Sequence, residues 1–194
     1  MNYPILRFNE FNETWVPRKI GDDYKLISGQ HLLPNDYVLN KIGVGYFTGP
    51  SDFTNNEIDI KKWTTYTKNT AFKGDILITV KGSGVGSLWF LRISEVALGR
   101  QLMAIRPKGS SSSFFLFTYL LKKTQYFQSL GAGNMIPGVS RDDMVAVEMA
   151  VTSHPPHRSV RAELPHTAPA KSIGLKSLFR VRMQHFKWRQ KAIG

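Results

Sequence analysis

The chain has 194 residues, 42% of them hydrophobic and 12% aromatic, which is enough for one well-buried domain with an appendage and short for two. It contains no cysteine, which excludes a disulfide framework and thiolate metal sites and fits a reducing cytoplasm. The net charge of +12 is uneven: residues 1–150 hold 17 Lys and Arg against 13 Asp and Glu, whereas residues 151–194 hold 9 against 1. Polyanion binding is therefore indicated only modestly for the main body.

The N-terminal residues Met1 to Trp15 lack a basic start followed by a long apolar run, and no later stretch is long enough to cross a bilayer. Neither secretion nor membrane insertion is expected. Ile42 to Phe47 alternates loosely and is broken by Thr48-Gly49-Pro50-Ser51-Asp52. Phe72-Lys73-Gly74-Asp75 is a turn leading into Ile76–Val80, a β-branched run expected to be a buried strand. After Gly82-Ser83-Gly84-Val85-Gly86, Leu88 to Ile93 is expected to be the return strand, and Gln101 to Ile105 a further strand closed by Arg106-Pro107. The period then changes. Phe114, Phe117, Thr118, Leu121 and Tyr126 predict one helix over Ser113–Leu130, with the preceding serines as N-cap and Gly131-Ala132-Gly133-Asn134 as its end. Strands first and a helix afterwards, without βαβ alternation, predict an α+β domain. From Val151 the character shifts to a proline-rich linker, and Lys171–Ile193 has the pattern of a basic helix. No internal repeat is present.

Several motifs carry both a chemical and a bland reading. The Gly82–Gly86 loop matches neither the dinucleotide fingerprint nor a P-loop, so it reads as a close-approach loop, to DNA or to a neighbouring chain, or as a flexible hairpin connection, rather than a nucleotide site. Asp52, Asp59 and Lys61 have the residue types of a metal-dependent nuclease, but their polar, turn-rich segment reads as solvated surface. Four of the five histidines lie in the tail, where nothing nearby completes a metal-ligand set, and His31 has no nucleophile partner in sight. No metal site, cofactor or catalytic group is expected. Basic and aromatic residues interleave around Lys41, Tyr46 and Phe47, and around Lys61, Lys62, Trp63, Tyr66 and Lys68. That mixture supplies phosphate-neutralising and base-reading groups, and equally a plain basic surface.

Ordered segments decide between these. Leu6–Phe11, Trp15 and Arg18-Lys19-Ile20-Gly21-Asp22, then Ser28-Gly29-Gln30-His31, Tyr46–Phe53, Gly74–Gly86, Gly99–Pro107 and Gly131–Asp143 stand in the order found in type I restriction–modification specificity subunits, which this chain resembles over about 140 residues. The resemblance implies a single target-recognition domain over residues 1–150, of mixed short strands with packed helices, whose loops read half of a split site in double-stranded DNA. It implies a non-enzymatic, cytoplasmic role in host defence. Methylation and cleavage would belong to partner methyltransferase (modification) and motor–nuclease (restriction) subunits, and a second recognition domain, or a second copy, would pair with it. Residues expected to contact DNA are Lys41, Lys62, Lys81, Ser83, Arg100, Asn134 and Arg141, with lysines on phosphates and Asn134 or Arg100 at base edges. Family members differ in the loops that choose bases, so the shared motifs are expected to be scaffold.

The resemblance stops near Val147-Glu148-Met149, where the family continues into a long spacer helix; residues 151–194 instead form an atypical basic linker and tail, partly helical or disordered. A frameshift or disrupted reading frame accounts for motif and composition changing together; a divergent dimerisation segment is the alternative. Two other functions stay open: a remnant unable to assemble, and a stand-alone nuclease using Asp52, Asp59 and Lys61.

Overall fold

A computed structural model describes residues 15–53, 60–132 and 138–152, and the statements below concern these. The Leu6–Phe11 segment, Asp59, Asn134 and the basic tail beyond 152 lie outside the described residues.

Ten strands and four α-helices are present among the described residues. The first sheet is antiparallel and contains β2 (Tyr24–Ser28), β6 (Ile76–Thr79), β7 (Leu88–Phe90) and β9 (Leu102–Pro107), in the order β2-β9-β6-β7. The second contains β3 (Val44–Phe47), β4 (Trp63–Thr64), β5 (Thr70–Phe72) and β8 (Glu95–Leu98), in the order β4-β3-β8-β5, with β3 and β8 parallel. A separate two-stranded ribbon pairs β1 (Trp15–Lys19) with β10 (Glu148–Thr152), Trp15 opposite Thr152. Helices α1 (Ile20–Asp23), α2 (Ser113–Leu121), α3 (Thr124–Ala132) and α4 (Arg141–Ala146) complete the domain.

The central strands explain the layering. Successive strand side chains point to opposite faces. On β6, Ile76 and Ile78 join one apolar cluster and Leu77 another; on β9, Met103 and Ile105 join the first, Leu102 and Ala104 the second. The first cluster packs against Leu116 and Leu120 of α2, Phe127 of α3, Met144 of α4 and Ile20 of α1. The second lies between the sheets, with Phe47, Val96 and Leu98 contributed from the other side. Helices, first sheet and second sheet therefore stack in that order. A strand covered on both faces is buried at every position, so Ile76–Thr79 and Leu102–Ile105 are apolar apart from Thr79. Each such Ile, Leu or Phe contributes about 1.5–3 kcal/mol by leaving water.

The α+β class is as expected, with three differences in detail. The helix expected over Ser113–Leu130 is two helices: Lys122 and Lys123 donate to Tyr119 and Leu120, three residues back, while the Thr124 hydroxyl takes the Leu121 carbonyl. That local bonding interrupts the i→i−4 ladder without glycine or proline. Ser112 caps α2 by accepting from Phe115 N, as the serine run predicts. The return strand expected over Leu88–Ile93 ends at Phe90, after which Leu91 N donates to Asp75 O and Leu91 O accepts Gly74 N of the β5–β6 turn. Finally, β10 follows the helices and closes back on β1.

The two sheets are tied by a buried ion pair. Asp75, whose side chain is 4% exposed, receives Arg106 through Nε at 3.0 Å and Nη2 at 2.7 Å, and accepts Phe72 N at 2.8 Å. Arg106 also donates to Thr70 O and lies 4.6 Å from the Phe72 ring centroid. The side chain on β9 thus pins the β5–β6 turn.

Candidate nucleic-acid interface

The segments singled out by sequence converge on one turn. Gly99-Arg100-Gln101-Leu102 is a β-turn closed by Leu102 N to Gly99 O at 2.9 Å, and it carries the chain from β8 in the second sheet to β9 in the first. Gly29 packs against it so closely that a Cβ there would stand 2.0 Å from Gly99 O, and one on Gly99 would stand 2.7 Å from Phe47 O. The Gln101 side chain sits over Gly49, where a Cβ would come within 2.4 Å of its Oε1. A Cβ on Gly84 would meet Pro50 Cγ at 2.6 Å. The Ser28–His31, Tyr46–Phe53, Gly82–Gly86 and Gly99–Pro107 segments are thus one knot of loops, held at backbone distance because glycine has no side chain.

The glycine-rich loop has its explanation here. Gly82 and Gly86 have φ of 88° and 86°, the left-handed region, and the loop packs against Pro50 on one side and α3 on the other. The close approach seen here is to other segments of its own domain.

Beside the knot lies an open cleft of about 200 Å³. Its floor is aromatic: the Tyr37 and Tyr46 rings are 5.8 Å apart. Tyr46 is a strut, since its hydroxyl accepts Leu32 N and donates to Gln30 O, both at 3.3 Å. Burial pushes its phenol above the ordinary value, although the Leu32 N–H and the nearby Arg100 guanidinium pull the other way. Lys62, half-buried, holds its ammonium 4.7 Å from the Tyr37 ring centroid. Arg100, exposed at the turn, is also in the lining, together with Gln101 and His31. Neither Lys62 nor Arg100 forms an ion pair among the described residues, and no acidic residue lines the cleft.

Of the residues expected to contact DNA, Lys62 and Arg100 therefore meet although they are far apart in sequence. Lys41 lies over Trp63, 5.5 Å from the ring centroid, on the neighbouring strand edge. Lys81 is exposed and bridges to Gly138, and Ser83 is exposed at the tip of the glycine-rich loop. Arg141 is exposed in the first turn of α4, immediately after the Ser140 cap. Nothing in the geometry brings Lys81, Ser83 or Arg141 into the cleft. His31, Tyr37 and Thr48 are cleft residues that sequence reasoning did not select; only the basic–aromatic interleaving near Tyr46 pointed there.

Asp52 has a structural occupation. Its Oδ2 accepts Thr48 N at 2.6 Å, Thr48 Oγ1 at 3.1 Å and Gly49 N at 3.2 Å, closing the turn after β3. A carboxylate so engaged caps its own loop, which removes the reason for reading Asp52 as a nuclease ligand. Among the described residues no helix is long and apolar enough to cross a membrane.

Comparison with known proteins accords with this architecture. The family model described as the type I restriction modification DNA specificity domain matches residues 12–150. The HsdS subunit from Thermoanaerobacter tengcongensis superposes with a TM-score of 0.63 at 23% identity, covering 77% of this chain and 35% of that one. A chain from a structure of complex assembly and conformational transition in the type I R-M system gives 0.62 at 25% identity, covering 71% and 34%. The S subunit of a type I restriction–modification system from M. genitalium gives 0.56 at 19% identity, covering 76% and 36%. The chain thus spans about a third of the length of these proteins. No curated protein matches it.

Proposed function

Since the chain belongs to the type I restriction–modification DNA specificity family, we propose that it is a non-catalytic recognition module that reads one half of a split site in double-stranded DNA. Methylation and cleavage then fall to methyltransferase and motor–nuclease subunits with which it assembles. The observation that carries this reading is the family match across residues 12–150. The unpaired cations at the Gly99–Leu102 turn support it, because phosphate neutralisation is the sequence-independent part of DNA binding.

Contacts with the duplex are assigned to Lys41, Lys62, Lys81, Ser83, Arg100, Asn134 and Arg141. In this reading the lysines neutralise phosphates and position the domain, and Asn134 or Arg100 reads base edges. The test is duplex binding by the chain assembled with its methyltransferase subunits, measured across a randomised DNA library. Enrichment of one half-site is expected. Equal affinity for every sequence refutes the reading.

A further inference from the structure

The cleft beside the Gly99–Leu102 turn is too open and too small for a nucleotide cofactor, since small-molecule sites usually enclose about 300–1,000 Å³. Its chemistry is nevertheless specific. Lys62 and Arg100 stand in its lining with no acidic partner among the described residues. The Lys62 ammonium is positioned by the Tyr37 ring beneath it. Between the loops lies the Gln101 amide, which makes no hydrogen bond within the described protein and is kept in place by Gly49 on one side and Gly82 on the other. Thr48 contributes no donor, because its hydroxyl is given to Asp52. Two cations and one amide donor therefore line a shallow recess with an aromatic floor.

We propose that this recess seats one backbone phosphodiester of the DNA, with Lys62 and Arg100 neutralising it and the Gln101 amide donating to a phosphoryl oxygen. The proposal rests on the DNA-recognition reading above and assigns Arg100 to phosphate rather than to a base edge. Two arguments favour phosphate. Arg100 and Gln101 occupy a turn held at backbone distance by Gly29, Gly49 and Gly99, and a group fixed so rigidly suits the ligand feature that every DNA sequence presents. The recess is also built on the second sheet, through Tyr46 of β3, and on the turn that leads from β8 into β9, so a phosphate held there sets the register of the duplex against whichever loops read its bases.

The test uses the chain assembled with its methyltransferase subunits and a set of cognate duplexes, each carrying one neutral methylphosphonate at a different backbone position. At one position the neutral linkage is expected to weaken wild-type binding about tenfold. The Arg100→Gln and Lys62→Gln variants bind less tightly by the same factor for every sequence, with a salt slope shallower by about 1 each, and lose that positional sensitivity. Lys122→Gln, on the exposed junction of α2 and α3, keeps it. Inorganic phosphate displaces the duplex no better than chloride at equal ionic strength; displacement at micromolar phosphate would assign the recess to a free anion and overturn the proposal. So would an Arg100→Gln variant with altered base preference, or interference profiles identical in wild type and variants. If the wild-type assembly prefers no sequence at all, the recognition reading fails while the phosphate map still judges the seat.

Discussion

The Asp75–Arg106 pair offers the sharpest test of how the fold is held. Arg106→Met keeps an apolar stem on β9 and removes four hydrogen bonds, from Nε to both Asp75 oxygens, from Nη2 to Asp75 Oδ2 and from Nη2 to Thr70 O. The Asp75 side chain, 4% exposed, would keep only the Phe72 N–H at 2.8 Å. A buried carboxylate stripped of its cation costs about 3–5 kcal/mol, a large part of the roughly 5–15 kcal/mol by which a domain is stable. The partner surface matters too, since the guanidinium covers the Phe72 ring at 4.6 Å and Phe72 is otherwise exposed. Pairing the change with Asp75→Asn removes the charge while leaving an oxygen for Phe72 N. The double variant is then expected to recover about 2 kcal/mol relative to the sum of the single losses. Urea midpoints at constant m-value give all four corners of this cycle. A single-variant loss below about 1 kcal/mol, or losses that simply add, would mean that the pair is screened by water and does not clamp the sheets.

Other expectations follow from the same geometry. Gly99→Ala places a methyl 2.7 Å from Phe47 O and 2.9 Å from Thr48 Cα, backbone atoms that cannot swing aside, so thermal unfolding should reveal a loss of about 1–3 kcal/mol. A Gly74→Ala change meets no neighbour but must hold φ near 97°, so it should also destabilise, through strain of about 1–3 kcal/mol, without disturbing the cleft. At α4, Ser140 Oγ accepts Asp143 N and the Asp143 carboxylate accepts both Ser140 N and Oγ, a capping box that holds the Asp143 carboxyl below its ordinary value, chiefly through the hydroxyl. A depressed carboxyl pKa adds stability above the unfolded value of 3.8, and that contribution is lost as pH falls through the folded value. NMR titration of Ser140→Ala should return Asp143 toward 3.8, and the lost cap should cost about 1 kcal/mol; an unchanged titration would show that the box is not formed in solution.

How much of this was legible in the sequence depends on whether the cause was local. The β6 and β9 strands announced themselves as unbroken apolar runs because both their faces are covered. The Ser112 cap and the turn at Thr48–Asp52 were legible for the same reason: their hydrogen bonds close within a few residues. The strands β4 and β5 were not, since two or three residues on a partly exposed edge carry no period. The glycines of the Gly82–Gly86 loop were visible, but what they approach, Pro50 and α3, is distant in the chain. The cleft was half legible. Lys62 and Arg100 were selected for their charge, whereas Tyr37 and His31 look ordinary until β3 and β8 pair in parallel and the Ser28–His31 segment crosses the turn.

The modest charge of residues 1–150 also changes meaning once the acids are located. Asp22 accepts Lys19 N, Asp36 accepts Leu33 N, Asp52 closes the turn after β3 and Asp143 completes the α4 cap. Asp23 pairs with Arg18, and Asp75 with Arg106. Six carboxylates are thus committed to turns, caps or arginines of the scaffold, and none of them lines the cleft. A sum over the sequence sets each of these against a lysine as if they shared a surface. Geometry separates them, leaving Lys62 and Arg100 to present positive charge in a cleft with no acid in its lining; the Asp52 carboxylate is felt at Tyr46 but is engaged by Thr48 and Gly49. The local field, rather than the net charge, is what a phosphate backbone meets first.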